Sequence, residues 1–113
     1  MATSKIKGGI EKFTLTNPTG FSTFEGKGIY DHHTGMVRLY ISAYNATSKE
    51  SNVIANVPAQ YRPSESLLIP GVVGIDGGGV YCYPASVIAS NGNVTHAVSA
   101  STRMASVVGE YKL

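Results

Sequence analysis

Seven tyrosines and no tryptophan, scattered among Ser, Thr, Asn and Gly, are the side chains with most chemistry to offer in this chain of 113 residues. A tyrosine has an apolar ring and a polar tip, and it loses little rotamer freedom when ordered. Sugars present the complementary surface: C–H faces that stack on rings, and hydroxyls that need fixed donors and acceptors. Tyr30, Tyr40, Tyr44, Tyr81 and Tyr83 cannot all be core. Other chemistries find less support. A glycoside hydrolase needs two carboxylates facing each other across a cleft, and the acidic residues Glu11, Glu25, Asp31, Glu50, Glu65, Asp76 and Glu110 mostly read as loop or strand-edge positions. There is no Gly-x-Ser-x-Gly elbow for a nucleophilic serine. Asp31-His32-His33 supplies at most part of a metal site, because adjacent residues of a strand point to opposite faces, and it reads better as a hairpin loop. Gly77-Gly78-Gly79 lacks the Lys-Ser/Thr of a phosphate-binding loop. Cys82 stands alone, which excludes an internal disulfide and a cysteine-rich zinc motif. It is expected to be a small buried hydrophobe.

The elements that must position these residues read as strands. The chain is 42% hydrophobic but only 14% charged, against about 25% charged for an average globular chain. That balance fits neutral polar sheet faces and argues against disorder. A net charge of +2, with no Lys/Arg cluster to focus it, argues against nucleic-acid binding. No apolar run approaches the roughly 20 residues of a membrane span, and Met1–Lys5 lacks the apolar core of a signal peptide. A soluble chain of one domain is expected.

Alternation is clearest over 35–45, where Val37, Leu39, Ile41 and Ala43 share one side and Arg38, Tyr40, Ser42 and Tyr44 the other. Phe13 and Leu15 alternate with Lys12, Thr14 and Thr16, and Asn17-Pro18-Thr19-Gly20 makes a turn. Phe21 and Phe24 suggest a weak strand, and Lys27–Tyr30 a separate one. Asn45–Ser51 is a polar loop and Asn52–Val57 a short strand. Leu67–Ile75 is nearly continuous apolar sequence, which suggests burial on both faces with a bend at Pro70-Gly71. Asp76–Gly79 is a turn, followed by a strand over Val80–Tyr83. Asn91-Gly92 predicts a two-residue type I′ hairpin pairing Ser90 with Asn93, Ala89 with Val94, Ile88 with Thr95 and Val87 with His96. A last strand covers Ala105–Lys112. About eight short strands with frequent turns predict an all-β, antiparallel Greek-key or jelly-roll-like barrel or sandwich.

The segment Asn56-Val57-Pro58-Ala59-Gln60-Tyr61-Arg62-Pro63-Ser64, running into Ser66-Leu67-Leu68-Ile69-Pro70-Gly71, is the most specific motif. Pro58 and Pro63 fix φ and withdraw two backbone donors, so the piece is a rigid corner between strands rather than a helix. Strand, corner and strand together resemble the C-terminal β-domains of tailed-phage adsorption proteins. Within that group the chain is similar to the head domain of receptor-binding proteins from phages that infect Lactococcus. The resemblance runs from Phe13 to Leu113 and is firmest over Val37–Tyr83.

That resemblance implies an antiparallel β head, three copies of which assemble around a three-fold axis at the tip of the virion's tail baseplate. It implies a shallow saccharide site between neighbouring copies, which recognises a host cell-wall glycan without a cofactor, without cleaving it and without inserting into the membrane. The family site combines an aromatic ring, a histidine, an aspartate and an arginine near the C-terminus. Arg103 matches the arginine by its distance from the chain end, with His96 as its polar partner. Tyr81 and Tyr83 occupy the strand where relatives carry the histidine and aspartate. Those two residues and the usual tryptophan are replaced here, which implies a different glycan preference, with a tyrosine as the ring and Asp76 as the carboxylate. Residues 10–113 would be the head and 1–9 the remnant of a linker. An upstream part would contact other baseplate proteins. Two further readings of the same residues are a structural trimerisation cap for a fibre and a glycan-degrading enzyme.

Overall fold

The computed structural model describes residues 9–18, 20–46, 53–75, 79–96 and 102–113. Residues 1–8, most of the 45–51 loop and the Asp76-Gly77-Gly78 part of the glycine turn lie outside the described residues. Ten strands are described: β1 (Ile10–Thr14), β2 (Phe21–Asp31), β3 (Met36–Ala46), β4 (Val53–Asn56), β5 (Leu67–Ile69), β6 (Gly71–Ile75), β7 (Val80–Cys82), β8 (Ala85–Val87), β9 (Asn93–His96) and β10 (Thr102–Lys112). They form a six-stranded sheet in the order β1-β2-β3-β10-β6-β7 and a four-stranded sheet in the order β4-β9-β8-β5. Every described pair is antiparallel. The molecule is an all-β antiparallel sandwich, the expected class.

The alternation in β3 does what its pattern demands. Val37, Leu39, Ile41 and Ala43 are all buried, while Arg38, Ser42 and Tyr44 are exposed on the other face. β10 answers with Ala105, Val107 and Tyr111 inward, and the four-stranded sheet adds Ile54, Ala55, Ile69, Val87 and Val94 to the same core. Each buried Val, Leu or Ile among them contributes about 1.5–3 kcal/mol by leaving water. Gly109 lets the sheets approach closely, since a Cβ there would stand 2.5 Å from the Ile69 Cβ.

Several local expectations are corrected. Phe21–Asp31 is one strand of 11 residues, not two. Gly26 and Gly28, which weaken the pattern in sequence, are places where rings lie over bare backbone: Phe24 covers Gly26 and Phe13 covers Gly28. An aromatic laid across a strand glycine restores the packing that the glycine lacks. The 67–75 run is not buried on both faces, because Leu68 is 65% exposed. Instead the chain changes sheets there, with β5 in one and β6 in the other, and Pro70 at the crossing. The same device recurs at Tyr83-Pro84, between β7 and β8. Proline suits both corners because neither crossing residue owes a ladder donor.

The β8–β9 hairpin is also not a two-residue type I′ turn. Val87 pairs with Val94, Ser86 with Thr95 and Ala85 with His96, while the Ile88 N–H donates to the Asn93 carbonyl and the Gly92 N–H to the Ile88 carbonyl. Only Gly92 of the four loop residues has positive φ, at 75°, and type I′ needs two such residues. The register has moved by two, so each side chain keeps its expected face.

Candidate functional site

The proline-bracketed motif is structural in this fold. It carries the chain from β4 to β5, at opposite edges of the four-stranded sheet, through a single 3-10 turn at Ala59–Tyr61. Tyr61 is buried, and its ring stacks on Phe13 with centroids 3.9 Å apart and planes 8° from parallel. Its hydroxyl donates to the Glu11 carboxylate. Burial first, and then the Glu11 bond, push the Tyr61 pKa up to about 12. The Tyr111 hydroxyl donates to the Tyr61 carbonyl at 2.5 Å, tying the corner to β10. Arg62 Nε donates to the Val57 carbonyl at 2.8 Å, and Gly92 packs so closely against both that a side chain there would collide with them. The Tyr-Arg pair therefore holds the end of the sandwich together.

Of the five residues singled out for saccharide binding, the four that are described, Tyr81, Tyr83, His96 and Arg103, do not line one groove within a single chain. Tyr81 and Tyr83 lie together, with ring centroids 5.7 Å apart, 41% and 38% exposed. β7 is the last strand of the six-stranded sheet. Tyr81 pairs with Val73, which is 1% exposed, so the cover given by the second sheet ends between β6 and β7. The two rings stand on that overhang. Arg103 is the extra residue of a β-bulge in β10. A Cβ at Gly74 would stand 3.3 Å from its Nη2 and 3.1 Å from the Met104 Sδ. Gly74 neighbours Val73 in β6, so it faces the opposite side of the sheet from Tyr81. Arg103 and the tyrosine pair thus flank one sheet edge from its two faces.

His96 is placed inside. It sits opposite Ala85 in the four-stranded sheet at 2% exposure, so within one chain its ring does not reach a surface groove. Asp76 lies outside the described residues. Cys82 corrects the expectation of burial: it is exposed, because it faces outward beside Val72 on the edge strand.

One polar cluster escaped the sequence reading. Glu11, placed there at a loop or strand edge, is in β1 beside the corner, and its carboxylate also lies 2.7 Å from His32 Nε2. His32 in turn meets the Tyr30 ring edge-on at 4.5 Å. The only local signal is that Glu11 continues the alternation of Phe13 and Leu15. Asp31-His32-His33 is the expected hairpin loop, closed by the Gly35 N–H on the Asp31 carbonyl and the His33 N–H on the Asp31 carboxylate. Among the described residues no three His, Cys, Asp or Glu side chains are grouped as a metal site would require. The chain matches no protein-family model and no curated protein.

Proposed function

We propose that this chain is a phage receptor-binding head that attaches the virion to host cell-wall saccharide without catalysis, through the Tyr81–Tyr83 edge and Arg103. The paired, half-exposed rings on an uncovered sheet edge carry the reading. Tyr81 in β7 and Tyr83 just past its end offer a ring surface for sugar C–H faces and two hydroxyls for sugar oxygens. A guanidinium across the same edge adds a planar donor fork. The resemblance of the Pro58–Pro63 corner and its flanking strands supports the phage assignment. Three copies around an axis at the baseplate tip would bring Arg103 of one copy towards the tyrosines of the next. The upstream part of such a protein would contact other baseplate proteins. Each site would bind weakly, and many copies on one particle would supply avidity.

The test is a titration of the chain with glycan fragments released from lactococcal cell walls, alongside adsorption of lactococcal phages in the presence of excess chain. Binding at millimolar fragment and slowed adsorption of at least one phage are expected. No binding at that concentration and unchanged adsorption across the panel would overturn the assignment.

A further inference from the structure

The outer face of the six-stranded sheet carries a second feature. On that face the register places Glu25, Ser42 and Ser106 side by side, and Lys27, Tyr40 and Val108 in the next row. The row beyond the serines holds Thr23, Tyr44 and Met104. Two small hydroxyl residues thus lie between two rows of larger side chains. The result is a trough across β2, β3 and β10, a groove of about 270 Å³ lined by the first six of these residues. Tyr44 is 46% exposed and Val108 54%, and Glu25, Lys27, Ser42 and Ser106 are all exposed.

We propose that this trough is a separate site for a neutral saccharide of one or two rings. The chemistry fits that class. The Ser42 and Ser106 hydroxyls both donate and accept, as sugar hydroxyls require. Tyr40 and Val108 give one wall an apolar surface for a sugar C–H face. Glu25 and Lys27 at one end offset each other, so the site favours neither an anion nor a cation. All six side chains come from paired strands, two of them central in the sheet, and such elements hold a site more precisely than loops do. Two other grooves on the molecule lack this combination. One, lined by Asp31, Arg38 and Glu110 among others, has its arginine already paired with Glu110 at 3.2 Å. The other surrounds Phe13 and Gly28 between two lysines and offers a single hydroxyl.

The inference rests on the carbohydrate part of the function proposed above, but not on its phage part or on the Tyr81–Tyr83 edge. The test is an amide-resolved NMR titration of the 15N-labelled chain with maltose and with N,N′-diacetylchitobiose at tens of millimolar. Saturable shifts at Tyr40, Ser42, Ser106 and Val108 are expected with at least one of them. The double variant Ser42→Val/Ser106→Val fills the trough floor with residues that suit an exposed strand, so its thermal unfolding should stay close to that of the native chain. It should weaken the trough titration at least about tenfold and leave any shifts at Tyr81 and Tyr83 in place. Tyr81→Ala/Tyr83→Ala should leave the trough titration unchanged. Absence of trough shifts with both sugars, or an unchanged titration of the valine variant, would overturn the inference. Trough binding in a chain that ignores lactococcal walls would sink the phage reading alone.

Discussion

Tyr61 shows how much one side chain carries in this fold. Its ring stacks on Phe13, its hydroxyl reaches Glu11, and its carbonyl accepts from Tyr111. Both Tyr61 and Tyr111 have pKa values raised above the usual 10, Tyr61 to about 12. A raised folded-state pKa means that the stabilisation is complete below the unfolded value and is lost as pH climbs through the folded one. For Tyr61 that window runs from pH 10 to about 12. Urea unfolding between pH 8 and 12 should therefore show a steep alkaline decline. Tyr61→Phe should make it shallower, leaving the part that Tyr111 contributes, while lowering stability near neutrality by about 1 kcal/mol, the net worth of a typical hydrogen bond. An identical alkaline slope in the variant would contradict the burial and bonding described. Gly92 makes a second test. Its φ of 75° and its contact with Arg62 and the Val57 carbonyl leave no room for a side chain, so Gly92→Ala should destabilise by about 2–3 kcal/mol in the same assay.

The elements follow from their patterns where one face is buried and the other wet. β3 was legible because four aliphatics alternate without interruption, and β10 because its inward positions face them. β2 was harder to read because Gly26 and Gly28 break the pattern, and the rings that repair it come from Phe24 in β2 and Phe13 in β1. The Phe13 contact crosses strands and has no local signature. Gly28→Ala should push the Phe13 ring off the strand and disturb its stack with Tyr61. A destabilisation of about 1–3 kcal/mol is expected, with upfield-shifted Phe13 ring resonances moving towards random-coil positions. Retention of both stability and those shifts would count against the ring-on-glycine packing. The β8–β9 hairpin was misread for a similar reason. Asn91-Gly92 is a strong turn signal, but Gly92 is held by Val57 and Arg62 of the corner, and that contact selects a four-residue loop. The sheet changes at Pro70 and Pro84 were visible only as bends, because sequence marks where a strand stops but not which sheet receives it.

At the scale of the whole molecule, six strands are packed against four, and the larger sheet leaves β7 uncovered. That inequality puts Tyr81 and Tyr83 in solvent. The candidate site was legible as residue types, tyrosines too many for the core, but its geometry was not. His96 turned inward because β9 alternates with Val94 and His96 on the same buried face, a pattern readable in sequence but outweighed there by its place as a polar partner for Arg103. The uncovered three-residue edge strand, with Val80, Tyr81 and Cys82 exposed and Tyr83 exposed just beyond it, is also an edge on which further copies could assemble. If copies meet there, light scattering of the chain should give a mass near three times the 11.9 kDa monomer, and Tyr81→Ala/Tyr83→Ala should shift it towards monomer. A native chain that stays monomeric at high concentration would remove the inter-subunit part of the proposal.

Cosedimentation of the chain with purified lactococcal cell walls, native beside Tyr81→Ala/Tyr83→Ala, tests the central claim most directly. The native chain should partition onto walls from at least one strain, and the variant, folded by circular dichroism, should lose at least about tenfold in apparent affinity, or ~1.4 kcal/mol. Equal wall binding by the two proteins, or none by the native chain to any strain, would contradict it.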